Sequence, residues 1–257
     1  MLNAMDSKFR YPQNFKANAA IGYKGYNGWS TRFEALYTKV INNVMFRNLA
    51  VENSGDRVYA VSADRASDGN TMPQFNKITS DYSAIYYMEN VSKGYSYSLS
   101  ASVERAFEMG LSLAASYTFG HSYSVCDVPS TSSSTNWNRT YNLDLNDPQL
   151  SFSAYDVPNK VSFVAAYHKR YSKLFDVTAS LVYQMTSGQR YSVTFGETVD
   201  FNGDGVFGST LMYIPTKEEL SMMHFADATS ADAWNGYIEA DSYLSSHRGQ
   251  FAERNAM

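Results

Sequence analysis

Tyr95-Ser-Tyr-Ser-Leu-Ser-Ala-Ser-Val-Glu-Arg-Ala-Phe107, then Glu108-Met-Gly110, then Leu111-Ser-Leu-Ala-Ala-Ser-Tyr-Thr-Phe119, reads as two strands and the turn between them. Tyr95, Tyr97, Leu99, Ala101, Val103 and Phe107 share one parity of the first arm, and Ser96, Ser98, Ser100, Ser102 and Glu104 share the other. The return arm sets Leu111, Leu113, Ala115, Tyr117 and Phe119 against Ser112, Ala114, Ser116 and Thr118. Successive side chains of a strand point to opposite faces, so each arm has one apolar face and one small, polar face. Gly110 supplies the positive φ that a tight reversal needs.

The same pattern occurs twice more. Before the central hairpin, Phe15, Ala17, Ala19, Ile21 and Tyr23 oppose Lys16, Asn18 and Lys24; Gly25-Tyr-Asn-Gly28 turns the chain; Trp29, Phe33, Ala35 and Tyr37 then oppose Ser30, Arg32, Glu34 and Thr38. After it, Val161, Phe163, Ala165, Tyr167 and Tyr171 lead through Ser172-Lys-Leu174 into Phe175, Val177, Ala179, Leu181, Tyr183 and Met185. Hairpins are therefore expected at about 14–41, 95–123 and 161–195. Long connections are expected at about 49–82, 124–158 and 196–257. The first carries turn signals at Glu52–Arg57 and Ser67–Asn70 and precedes a strand-like run, Ala84–Met88; the last holds one short helix near Lys217–Met223.

Composition narrows the functional classes. The 21 Tyr and 15 Phe favour strands. A net charge of −4 gives no support for a nucleic-acid partner, which would call for a concentrated basic face. Cys126 is the single cysteine, so there is no internal disulfide and no cysteine-based metal cluster. No run approaches the length of a membrane-spanning helix, although barrel strands never produce such a run. Met1-Leu-Asn-Ala-Met lacks the basic and apolar regions of a secretory signal, which points to a cytosolic chain or a piece of a longer one.

The connections are unequal. At one end of the strands the turns take three or four residues, and at the other the loops exceed thirty. Outer-membrane β-barrels combine short turns on one side, long loops on the other, strands of about ten residues and aromatic girdles at both rims. Tyr23, Trp29, Phe107, Tyr171 and Phe175 flank the short turns, and Tyr37, Tyr117, Phe119 and Tyr123 lie toward the loops. The expected fold is all-β: an antiparallel up-and-down meander from a large transmembrane barrel, its apolar parity toward lipid and its polar parity toward a lumen. A soluble β-sandwich shows the same alternation and stands as the alternative. Its long structureless loops would be unusual in a compact domain.

Several stretches carry a likeness. Ser187-Gly-Gln-Arg-Tyr-Ser192, Asp200-Phe-Asn-Gly-Asp-Gly205, Leu211-Met-Tyr-Ile-Pro215 and Tyr243-Leu-Ser-Ser-His-Arg-Gly-Gln-Phe-Ala-Glu-Arg-Asn255 resemble the late part of TonB-dependent outer-membrane receptors of the Bacteroidetes type. Asn90-Val-Ser-Lys-Gly-Tyr95 and Tyr155-Asp-Val-Pro-Asn-Lys-Val161 resemble strand starts of the same family. The resemblance implies a barrel of about 22 strands filled by a plug and driven by the inner-membrane TonB complex. It implies the outer membrane of a Gram-negative bacterium, outer-membrane lipid as a partner, and a surface lipoprotein as a further partner it admits. Its cargo would be a bulky nutrient: a chelated metal, a glycan or a peptide. No plug and no TonB box are recognisable, so the expected object is a barrel segment, starting and ending mid-barrel.

Asp200, Asn202 and Asp204 place oxygens at positions one, three and five, with Gly205 next, as a calcium loop begins. Position twelve is Leu211 rather than the Glu of an EF-hand. The same residues also suit a turn held by Asx hydrogen bonds and glycines, and both readings stand. His121, His168, His224 and His247 are scattered, which suggests surface or lumen positions. Ser187 lacks the Gly-x-Ser-x-Gly context of a nucleophile. With no acid/base pair either, no catalytic residue and no enzymatic activity are expected.

Overall fold

The computed structural model describes residues 1–62, 69–196, 198–223, 225 and 228–257. Ser67 and Asp68 of one expected turn, and His224, lie outside them. The chain is mostly strand, and its sheets are largely antiparallel.

Six strands form the meander: β2 (Gln13–Lys24), β3 (Trp29–Asn48), β7 (Tyr95–Ala106), β8 (Leu111–Ser124), β10 (Asn159–Arg170) and β11 (Asp176–Thr186), neighbours in that order. They are the three expected hairpins laid side by side. Apart from a register shift between Gln13 and Asn14, every ladder joins odd positions to odd: Ile21 meets Phe33, Phe33 meets Ala101, Ala101 meets Tyr117, Ala115 meets Phe163 and Phe163 meets Tyr183. A one-residue slip in any ladder would have mixed the faces. The sheet instead has one continuous apolar face and one continuous face of small and polar side chains. Gly110, at φ +93°, also lies so close to the His168 carbonyl of β10 that a Cβ would collide with it.

Strand ends differ from expectation in two places. The third hairpin stops at Thr186, not near 195; beyond it only Thr194 bridges, to Leu211. The first runs past 41 to Asn48, because the far part of β3 has its own partner, β6 (Ile85–Val91). Asn43 faces Val91 and Lys39 faces Tyr95, so β6 and β7 follow one edge of β3 in unbroken register. The short β1 (Leu2–Met5) lies parallel to β6, the exception to the antiparallel plan.

The long connections are more structured than expected. The first holds a hairpin, β4 (Val51–Tyr59) with β5 (Thr71–Lys77). The second holds α1 (Ser133–Asn138) and β9 (Ser151–Phe152), which extends the sheet at the end of β8. The third holds β12 (Tyr213–Ile214), α2 (Lys217–Leu220), α3 (Ala228–Ala240), α4 (Ser242–Ser246) and β13 (Gln250–Phe251). Helix α2 is shorter than the one expected near Lys217–Met223, and it starts with a reciprocal capping box between Thr216 and Glu219.

Burial divides the molecule. Strands β2, β7, β8, β10 and β11 bury no apolar side chain, and Phe33, Leu99 and Leu181 are 59%, 54% and 61% exposed. The buried groups lie beyond the strands. Phe46, Val51, Ala84, Tyr86, Trp137, Leu145 and Val206 form one cluster, drawn from the tips of β3 and β6 and all three long connections. Ile214, Ile238, Leu244 and Ala252 form a second within the last connection.

Candidate functional site: the loop cap

The long connections meet as a folded cap over one end of the meander, and polar groups join them. Asn48 at the tip of β3 exchanges backbone bonds with the Asn146 side chain at 2.7 and 3.0 Å, and Trp137 Nε1 donates to the same Asn146 Oδ1 at 3.1 Å. Tyr86 packs on Trp137 with ring centroids 5.7 Å apart. One indole thereby ties the second connection to the tips of β3 and β6.

A buried ionic knot holds the third. Asp156 Oδ2 takes Arg190 Nε at 2.9 Å and lies 3.0 Å from His121 Nδ1, while its Oδ1 accepts from the Ser122 backbone at 2.7 Å. The Arg190 guanidinium lies 3.9 Å over the Phe152 ring. Nearby, buried Arg254 donates to the carbonyls of Val125 and Ser124 and lies 4.0 Å from Asp127. Asp127 also accepts from Ser124, Ser153 and the Ala154 backbone. Such pairs add little net stability when intact, but removing one partner strands a buried charge. They fix which surfaces of the cap meet. Burial pushes the nearby Cys126 thiol up, so it behaves as a small apolar group.

His121 is the partial exception to the expected scatter of histidines. It stands on the apolar face, in a ring series with Tyr97, Phe119, Tyr123 and Phe152. His168 is exposed near Asp176, and His247 stacks on Tyr243 at 4.1 Å between centroids. The other rim is aromatic too, with Trp29 and Phe107 edge to face at 6.3 Å and Arg105 over both rings. No family model, curated protein or solved structure matches this chain.

The Asp200–Gly205 loop folds as the Asx turn the spacing permits. Asp200 accepts from Gly203 N and Gly205 N, each at 2.9 Å, and Asp204 Oδ1 accepts from Val206 N at 2.8 Å. The loop is wedged among the other connections. Phe75 N donates to the Asn202 carbonyl at 2.7 Å, and Asn202 Nδ2 donates to the Leu143 carbonyl at 3.1 Å. Gly203, at φ +78°, passes so close to the Phe75 carbonyl that no Cβ would fit. Asn202 and Asp204 are buried. Burial, with the nearby charges of Asp200 and Asp144, pushes the Asp204 carboxyl up to about 6.

Proposed function

We propose that this chain is part of the wall and outer mouth of an outer-membrane barrel, a TonB-dependent receptor that takes up a bulky nutrient. The carrying observation is the six-strand ladder whose odd-numbered apolar side chains share one face and are buried in none of its strands, with Ile21, Phe33, Leu99, Tyr117, Leu181 and Tyr183 exposed. In water such a face is costly, at roughly 25 cal/mol per Å² of apolar surface, whereas hydrocarbon relieves that cost. Five of the six strands have 11 to 14 residues, which suits tilted spans, and β3 runs on to 20 where it also pairs with β6. The outer edges of β2 and β11 end the sheet, and a barrel would close them with further strands.

In this reading the small, polar face lines the lumen and the cap captures cargo. Energy-coupled passage belongs to a plug elsewhere in the protein. A soluble adhesion sandwich would have to cover the odd face with a second sheet, and the exposure of Phe33, Leu99 and Leu181 weighs against it. Membrane fractionation of cells making the protein tests the reading. It predicts recovery with the outer membrane and extraction only by detergent; a monodisperse protein in plain buffer would refute it.

A further inference from the structure

We propose that the Asp200–Val206 loop is a calcium site, completed by Asp144 from the second connection, that ties the three loops of the cap together. The inference stands on the cap alone and does not rest on the barrel reading. Its first support is spacing: Asp200, Asn202 and Asp204 offer side-chain oxygens at alternate positions, and a backbone carbonyl follows at Val206, position seven of such a loop.

Its second support is a buried oxygen with nothing to bind. Asp204 is 2% exposed, and its Oδ2 has no hydrogen-bond partner although Oδ1 is satisfied by Val206 N. A carboxylate buried without a cation is costly and must take a proton or find one. Ser209 Oγ, farther along the same segment, is likewise buried without a partner.

Leu211 at position twelve cannot ligate. It is buried, and its backbone bridges to Thr194. Asp144 is the candidate for the missing charge: it follows Leu143, whose carbonyl accepts from the Asn202 amide at 3.1 Å, and its own Oδ1 accepts from the backbones of Asn146 and Asp147 at 2.8 and 3.1 Å. Among the described residues no three acidic, histidine or cysteine side chains form a ready metal cage by themselves. Calcium differs from transition metals in accepting amide and backbone carbonyl oxygens, which complete this set. Phe75 of β5 bonds to the Asn202 carbonyl, so an ion here would fasten the first connection to the other two.

The test is calorimetric titration and thermal unfolding of the whole chain, stripped with chelator and then given calcium or magnesium. The expected result is one saturable calcium site with a raised melting temperature. Asp204→Asn should weaken calcium by at least roughly 100-fold, and Asp144→Asn by roughly 10-fold, the scale seen when ligand support is lost. Exposed Asp176→Asn, at the opposite end, should bind normally. No calcium effect at roughly 10 mM, above the 10⁻⁴–10⁻³ M range of extracellular modules, would overturn the site. So would an equal response to magnesium, or undiminished binding by Asp204→Asn. Should Asp204→Asn fail to fold, Asp144→Asn decides alone: unchanged binding overturns the proposal and weakened binding supports it.

Discussion

The meander and the cap are built from the same residue types and obey opposite rules. In the meander, Phe33, Leu99, Leu181 and their odd-numbered neighbours point outward, and the ladder alone holds the strands in register. In the cap, Trp137, Leu145, Ile214 and Ile238 are withdrawn from solvent, and the backbone follows irregular paths to bury them. A protein surrounded only by water would bury both sets. The difference is what the proposed function requires: under it the cap is built for water and the meander for an apolar surrounding on one face.

The largest expected effect comes from the cap. Trp137→Ala removes the indole between β3, β6 and Leu145 and should cost about 3–5 kcal/mol, read as a shift in the denaturant midpoint and faster proteolysis of the long connections. Leu99→Ala, by contrast, should be nearly silent in the same assay. The comparison is sharpened by a charge placed on each face of one strand. Leu99→Arg should cost about 2–4 kcal/mol of folding in bilayers, and Ser100→Arg close to nothing. Equal costs on the two faces would break the contrast.

A third expectation concerns Asp204. Its carboxyl is raised from 3.8 to about 6, so the folded chain holds that proton more tightly than the unfolded chain. Its favourable contribution is complete below about pH 3.8 and disappears as pH rises through about 6. Without calcium, Asp204→Asn should therefore stabilise the chain at pH 7 by about 2–3 kcal/mol and flatten the pH profile between those values. A fourth expectation concerns the turn end: Gly110→Ala should cost at least about 1–3 kcal/mol, since its φ is positive and the His168 carbonyl fills the space of a Cβ. Thermal unfolding against pH measures both.

What the sequence made legible was local. Alternation in residues 95–119 defined a hairpin and its two faces, and Gly110 marked the turn. The cap was less legible because its order is tertiary. Ser130–Asn136 reads as loop, yet α1 forms there once Trp137 is buried. The polar residues 49–82 hide β4 and β5, which depend on each other across a long turn. Asp156 and Arg254 lay in stretches that carried the family likeness, but their partners Arg190 and Asp127 are 34 and more than 100 residues away. No spacing rule reaches that far. The Asp200–Gly205 spacing was visible; its burial was not, because it arises only where three connections converge.

The most direct test of the contrast uses single cysteines along β7 in lipid vesicles, labelled with an environment-sensitive fluorophore. Native Cys126 is 2% exposed and its thiol is pushed up by burial, so it should not compete for label. The account predicts that probes at Tyr97, Leu99 and Ala101 are quenched by brominated acyl chains, whereas probes at Ser98, Ser100 and Ser102 are quenched by iodide from water. Iodide quenching at both parities, with none by lipid at Leu99, would contradict it.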